Sequence, residues 1–214
     1  YDESRHDDAE RLARVAQRVN TWLTSHTSAG ILYETDLRLR PDGAAGLMVS
    51  SFPSFRDYQL KRAWTWEHQA LTRARYCAGD ARLGERFEAL RREVLAAPRD
   101  AAKLREEIRA MREKMRAEVK ADTRDLKHVA GGVVDLEFAV QALVLAESGR
   151  HPGLLDNKGN HTLLKRAGEM GIVPMPVAAA AADAYLALRA RSHSASLNDE
   201  EHATHHQQAH ARFK

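Results

Sequence analysis

The sequence predicts an α+β fold that is predominantly helical, with a small strand-containing front followed by a helical bundle. Three observations predict it. Residues 31–43, ILYETDLRLRPDG, alternate at period two, with Ile31, Tyr33, Thr35, Leu37 and Leu39 on one face. Leu32, Glu34, Asp36, Arg38 and Arg40 make the other face. Elsewhere the apolar residues recur mostly at helical spacing. Composition then shifts at Pro98 into the densely charged run 99–122, where Leu104, Ile108, Met111, Met115 and Val119 still form a stripe with steps of 4, 3, 4 and 4. That shift divides the chain into a front domain, 1–97, and a bundle, 98–214.

The elements follow in order. Leu12, Val15, Val19 and Leu23 predict a helix over 7–26, broken by Thr27, Ser28, Ala29 and Gly30 before the strand. Pro41, Asp42 and Gly43 are turn residues, and GLMVSS, 46–51, reads as a returning strand that completes a hairpin. Pro53 opens a helix containing Phe55, Tyr58 and Gln59. AWTWEHQALTRARYC, 63–77, reads as another helix, and 80–97 as a third that stops at Pro98. The charged run is an amphipathic helix with one solvated face, its methionines filling core. A basic link, 123–132, leads into the helix 133–148. After the loop 151–160 come helices over 161–171 and 176–195, and the tail from Asn198 reads as a polar, His-rich helix.

Composition excludes several classes. The 33 Lys and Arg nearly balance 30 Asp and Glu, so the basic excess of a nucleic-acid-coating protein is missing. A single cysteine, Cys77, permits no internal disulfide and suits a reducing, cytoplasmic compartment. No run approaches the ~20 apolar residues of a membrane span. The polar, acidic opening YDESRHDDAERL is not a signal peptide. Its first residue is Tyr1 rather than methionine, which reads as the interior of a longer chain.

Four constellations carry candidate chemistry. Glu34 and Asp36, at i and i+2 on one strand face, suit a divalent cation beside a triphosphate. Salt bridges to Arg38 and Arg40 explain the same pattern on an edge strand, and spacing alone favours them. Gly131 and Gly132 precede a helix whose N-terminal N–H groups suit a phosphate, with Lys127 upstream as a point charge. An interhelical turn, with Asp135 set against the helix dipole, is the plainer account. Trp64 and Trp66 read as core, and Glu67, His68, Gln69, Arg73 and Arg75 beside them either line a cleft or satisfy one another. His202, His206 and His210 recur at i, i+4 and i+8, a zinc- or nickel-capable spacing, although a solvated tail explains them as well. Cys77 reads as a small core residue.

Taken together, LYETDLRLRPDGAAGLMVSS, FRDYQLKRAWTWEHQALTRAR, GDARLGERFEALRREV, MREKMRAE and DLKHVAGGVVDLEFAVQALVL resemble the C-terminal half of the bacterial bifunctional glutamine synthetase adenylyltransferase/adenylyl-removing enzymes. The resemblance runs from about Arg11 to Arg191. It implies a partial polymerase-β-type nucleotidyltransferase domain followed by a helical bundle. It also implies transfer of AMP from ATP to a tyrosine hydroxyl of glutamine synthetase, regulating nitrogen assimilation.

Carried onto these residues, the resemblance makes Asp36 a metal carboxylate for Mg²⁺, with Glu34 beside it, and makes Arg38 and Arg40 anchors for phosphate or for the acids. Lys127, Gly131, Gly132, Asp135 and Glu137 match a second motif expected to face the nucleotide. The family's partners, the PII signal protein and the effector glutamine, are implied in the same way. Its Gly-Ser and Asp-x-Asp motif is expected just before residue 1, so this stretch by itself is expected to be inactive. Two other readings remain: a non-catalytic helical module that binds PII or glutamine synthetase, and a related nucleotidyltransferase such as a PII uridylyltransferase.

Overall fold

The computed structural model describes residues 1–28, 30, 31, 33, 35–37, 41, 46–119, 125–156 and 158–197. The His-rich tail from Asn198, and with it His202, His206 and His210, lies outside the described residues. Among the described residues the fold is predominantly helical α+β, with eight α-helices and one two-stranded antiparallel sheet. They form two compact units, Tyr1–Val94 and Leu95–Lys214.

In the first unit a short 3₁₀ turn, Glu3–Asp8, leads into α1, Ala9–Thr24. The strands are β1, His26–Thr27, and β2, Gly30–Ile31, paired His26 to Ile31 and Thr27 to Gly30. Gly30 sits at φ +100°, a left-handed backbone that a side chain would strain. Much of the hairpin expected between 31–40 and 46–51, namely residues 32, 34, 38–40 and 42–45, lies outside the described residues. Of its described residues, Ile31 pairs in β2, and Tyr33, Thr35, Asp36, Leu37 and Leu47 carry no regular structure. Alternation of side chains sets which face a strand would bury, but a strand exists only where a neighbour takes its N–H and C=O groups.

Three helices complete this unit: α2, Phe52–Lys61, α3, Thr65–Leu71, and α4, Ala81–Ala96. Ser51 caps α2 by accepting from Ser54 N–H, with Pro53 in its first turn as expected. The expected helix over 63–77 is shorter, ending at Leu71. Arg91 of α4 is 1% exposed and donates Nε–H to Leu71 O at 2.9 Å and Nη2–H to Thr72 O at 3.0 Å. Those bonds, with Thr72 Oγ1 donating to Gln69 O at 2.6 Å, hold the last carbonyls and close the helix. Beyond it the chain runs as loop to Asp80, so Cys77 is exposed rather than in the core.

The second unit holds α5, Ala101–Glu118, α6, Val133–Glu147, α7, Asn160–Glu169, and α8, Met175–Leu197. Asp100 caps α5 by accepting from Lys103 N–H at 2.7 Å, and the predicted stripe turns inward, with Leu104 and Ile108 buried. The nearly unbroken apolar run of α6 suits a helix packed by α5, α7 and α8 together. Helices α7 and α8 approach closely because small residues face each other. A Cβ on Gly168 would stand 2.8 Å from the Ala178 Cβ, and Ala167, Ala178 and Ala182 are buried.

Candidate functional site

Asp36 lies in the first unit and is exposed. Its segment is tethered to the C-terminal turns of α1, where Tyr33 N–H donates to Leu23 O at 2.9 Å and the Thr35 hydroxyl donates to Asn20 Oδ1. Glu34, Arg38 and Arg40 lie outside the described residues. Among the described residues, no three or more His, Cys, Asp or Glu side chains come together in a way that could hold a metal ion. The described residues alone therefore do not fit a Mg²⁺ site, since such a site needs several oxygen donors at octahedral positions.

The tryptophan segment resolves into mutual satisfaction. Glu67, 5% exposed, accepts from the Tyr58 hydroxyl at 2.8 Å and from Trp64 N–H at 2.9 Å. The second of these bonds anchors the start of α3. His68 Nε2 bonds Gln59 O at 3.0 Å. Gln59 is itself buried, and its Oε1 has no hydrogen-bond partner among the described residues. Trp64 is 69% exposed, which corrects its reading as core, and Trp66 is half-buried. Position decides this: Trp64 is the N-cap, outside the helical face that packs.

The Gly-Gly motif lies in the second unit and is built as follows. Asp125 Oδ1 accepts from the N–H groups of Lys127 at 3.0 Å and His128 at 3.2 Å, and Oδ2 bonds His128 Nδ1 at 2.8 Å. That Asx turn folds the link back on the start of α6. Burial raises the Asp125 carboxyl, but the His128 ring and the two backbone N–H groups outweigh it and hold the group below its ordinary value. Val133 N–H then donates to Leu126 O at 3.1 Å and Val134 N–H to Lys127 O at 3.0 Å. The first N–H groups of α6 are thus satisfied by the chain's own carbonyls.

Both glycines have local causes. Gly131 takes φ +76°, and a Cβ on Gly132 would lie 2.6 Å from Leu126 O, a backbone atom that cannot swing aside. Gly131 N–H donates to Asp135 Oδ2 at 2.6 Å. The same carboxylate receives Arg112 Nε–H at 2.6 Å and Arg116 Nη2–H at 2.5 Å, both from α5. Arg112, with an 8% exposed side chain, also donates to His128 O at 2.9 Å. One carboxylate therefore ties α5, the glycine turn and the start of α6 together. Lys127 is half-buried. Glu137, two residues past Asp135, accepts from the Tyr185 hydroxyl at 3.3 Å, and that hydroxyl accepts from buried Asn160 Nδ2 at 3.1 Å.

Sequence reading missed Arg112, Arg91 and the Asn160–Tyr185 pair. A signal existed for the arginines: Arg112 interrupts the stripe between Ile108 and Met115, and Arg91 lies between Phe87 and Val94 on the inward face. A cation on an apolar stripe marks a buried partner.

The ion pair at Asp135 yields an expected result. Burial raises this carboxyl, while the Gly131 N–H, Arg112 and Arg116 together hold it below its ordinary value near 3.8. A depressed carboxylate contributes stability fully above that ordinary value, and loses it as pH falls through the folded value. Asp135→Asn should therefore cost about 2 kcal/mol at neutral pH, by weakening the partner of buried Arg112. The difference between the two proteins should shrink only below about pH 4, as urea unfolding at stepped pH would measure.

Comparison with known proteins follows from these motifs. The family model described as glutamate-ammonia ligase adenylyltransferase matches residues 2–90. The bifunctional glutamine synthetase adenylyltransferase/adenylyl-removing enzyme of Aromatoleum aromaticum is 53% identical over 200 residues, covering 92% of this chain and 21% of that protein. The enzymes of the same description from Nitrosomonas europaea and Bordetella bronchiseptica are 50% and 49% identical, each over 92% of this chain and over 22% and 21% of their own lengths. The chain thus spans about a fifth of the length of the curated relatives it matches. At half-identity across nearly its whole length, with its strand, tryptophan and Gly-Gly motifs all inside the match, the chain belongs to the glutamine synthetase adenylyltransferase family.

Proposed function

We propose that the chain is part of an adenylyltransferase, a nucleotidyltransferase that moves AMP from ATP to a tyrosine of glutamine synthetase in the cytoplasm. The observation that carries this reading is the 53% identity over 92% of the chain to a protein described by that activity. Residues 1–97 form part of a polymerase-β-type catalytic domain, and 98–214 form its helical bundle. Asp36 supplies one carboxylate to the site, with Glu34 beside it and Arg38 and Arg40 anchoring phosphate or the acids. A Mg²⁺ ion, which would neutralise phosphate charge, would need donors beyond the described residues.

In the second motif, Lys127 offers its ammonium to nucleotide phosphate. Gly131 and Gly132 build the turn that holds it, and Asp135 and Glu137 fasten that turn to the bundle. This division of labour rests on the closed start of α6, whose first N–H groups already have carbonyl partners. The PII signal protein and glutamine are the regulatory partners of the reading.

The test is transfer of radiolabelled AMP from ATP to purified glutamine synthetase by the full-length protein. Label on a synthetase tyrosine supports the proposal. Label on PII with UTP as donor, and none on the synthetase with ATP, assigns the related uridylyltransferase instead. No transfer by the full-length protein to either target leaves the non-catalytic module.

A further inference from the structure

We infer that Asp125 is the positioning residue of Lys127, its carboxylate fixing the backbone from which the Lys127 ammonium reaches nucleotide phosphate. The inference rests on the phosphate contact proposed for Lys127 and adds the group that aims it. Two bonds hold the backbone of the lysine. Asp125 Oδ1 accepts from Lys127 N–H at 3.0 Å, and Lys127 O accepts from Val134 N–H at 3.0 Å. With its N–H and its carbonyl both engaged, Lys127 has one Cα–Cβ direction relative to α6, and only its side-chain torsions stay free.

A carboxylate that could rotate would aim nothing, and this one is itself braced. Its Oδ2 bonds His128 Nδ1 at 2.8 Å, and Oδ1 also accepts from His128 N–H at 3.2 Å. His128 is fixed in turn, because Arg112 Nη2–H donates to its carbonyl at 2.9 Å. A side chain locked by a second ring of hydrogen bonds is the arrangement that holds a functional group to within a fraction of an ångström.

Charge shows what the lysine is held for. Lys127 is half-buried, and its ammonium has no hydrogen bond or ion pair among the described residues. The acids of this turn are committed elsewhere: Asp125 to His128 and the two N–H groups, Asp135 to Arg112, Arg116 and Gly131 N–H. Among the described residues of the turn, Arg112, Arg116 and Lys127 outnumber Asp125 and Asp135, so it is positive even with His128 neutral. An ammonium fixed in place without an anion of its own suits a ligand that brings the negative charge. The N–H groups of Val133 and Val134 are already bonded, so contact with phosphate falls to the lysine.

Amine footprinting of the full-length protein tests it, with acetic anhydride labelling lysines and peptide masses reporting Lys127 at stepped ATP concentrations. ATP should protect Lys127, and Asp125→Ala should raise the concentration giving half-protection by about tenfold. Asparagine keeps an Oδ1 acceptor for both N–H groups and offers Nδ2–H to the neutral His128 ring, whereas serine makes the same turn more weakly. Asp125→Asn should therefore stay within about threefold of the unsubstituted protein, with Asp125→Ser between asparagine and alanine. In AMP transfer the same order should appear in KM for ATP, with kcat within about twofold and KM for glutamine synthetase unchanged. A role in stability alone would lower the urea midpoint and leave half-protection of the folded protein unmoved, which overturns the inference. Absence of ATP protection at Lys127 in the unsubstituted protein overturns it as well. Should alanine unfold the bundle, the serine and asparagine proteins decide alone, and equal half-protection in the two sinks the positioning role. AMP transfer with half-protection unmoved by these substitutions removes the positioning role and leaves the function standing. The graded shift without AMP transfer would do the reverse.

Discussion

Asp36→Asn in the full-length protein should lower AMP transfer by on the order of 10²- to 10³-fold and leave the unfolding midpoint unchanged. The substitution keeps the shape of the side chain and removes its negative charge. In the proposed role that charge is what counts, because it would help hold a cation against the reacting phosphates, and asparagine keeps an oxygen but not the charge. The structural cost is small because Asp36 is exposed and lies in a segment without regular structure. Its tether to α1 runs through Tyr33 N–H and the Thr35 hydroxyl, which the substitution does not touch. Initial rates of label transfer, with a urea melt of the same preparation, separate the two effects. Full activity in the Asn protein would return Asp36 to the alternative that spacing first suggested, a salt-bridged edge.

Arg91→Ala should destabilise the unit Tyr1–Val94 by about 4 kcal/mol, the largest effect on stability expected of one substitution here. The guanidinium is 1% exposed and holds Leu71 O, Thr72 O and the Glu88 carboxylate at 2.9, 3.0 and 2.9 Å. Alanine strips two buried carbonyls of their donors and leaves a void where the stem packed. Because those carbonyls terminate α3, the end of that helix should fray, and amide exchange at Thr72 and Arg73 should rise with the loss in urea midpoint. Arg91→Lys should recover only part of the stability, since one ammonium cannot match the planar fork that reaches two carbonyls and a carboxylate together. A loss below about 1 kcal/mol in the alanine protein would show that water replaces the guanidinium, against the burial seen.

How much was legible differs by element. The stripe through Leu104 and Ile108, the Ser51 and Pro53 start of α2, and the stop of α4 before Pro98 were readable because each depends on residues within a turn or two of one another. The end of α3 was not readable, because Arg91, twenty residues further along, decides it. The same holds for Trp64 and Cys77, which were taken as core by residue type and are exposed by position. For the candidate site, the Gly-Gly turn was visible as a turn, but its sequence left open whether the N–H groups of α6 were available. Only the folded link, with Leu126 and Lys127 carbonyls directed onto Val133 and Val134, closes that helix start.

By itself, then, the sequence determined the family, the helical class and most helix boundaries, because periodicity, capping and turn residues act locally along the chain. Tertiary structure alone decided which polar groups are paired: Asp135 with Arg112 and Arg116, Tyr185 with Glu137 and Asn160, Arg91 with the end of α3, and Tyr1 with Ser50 and Phe52. The physical reason is that a buried charge or backbone group must find a partner wherever the fold brings one within about 3 Å, and separation along the chain places no limit on which partner that is.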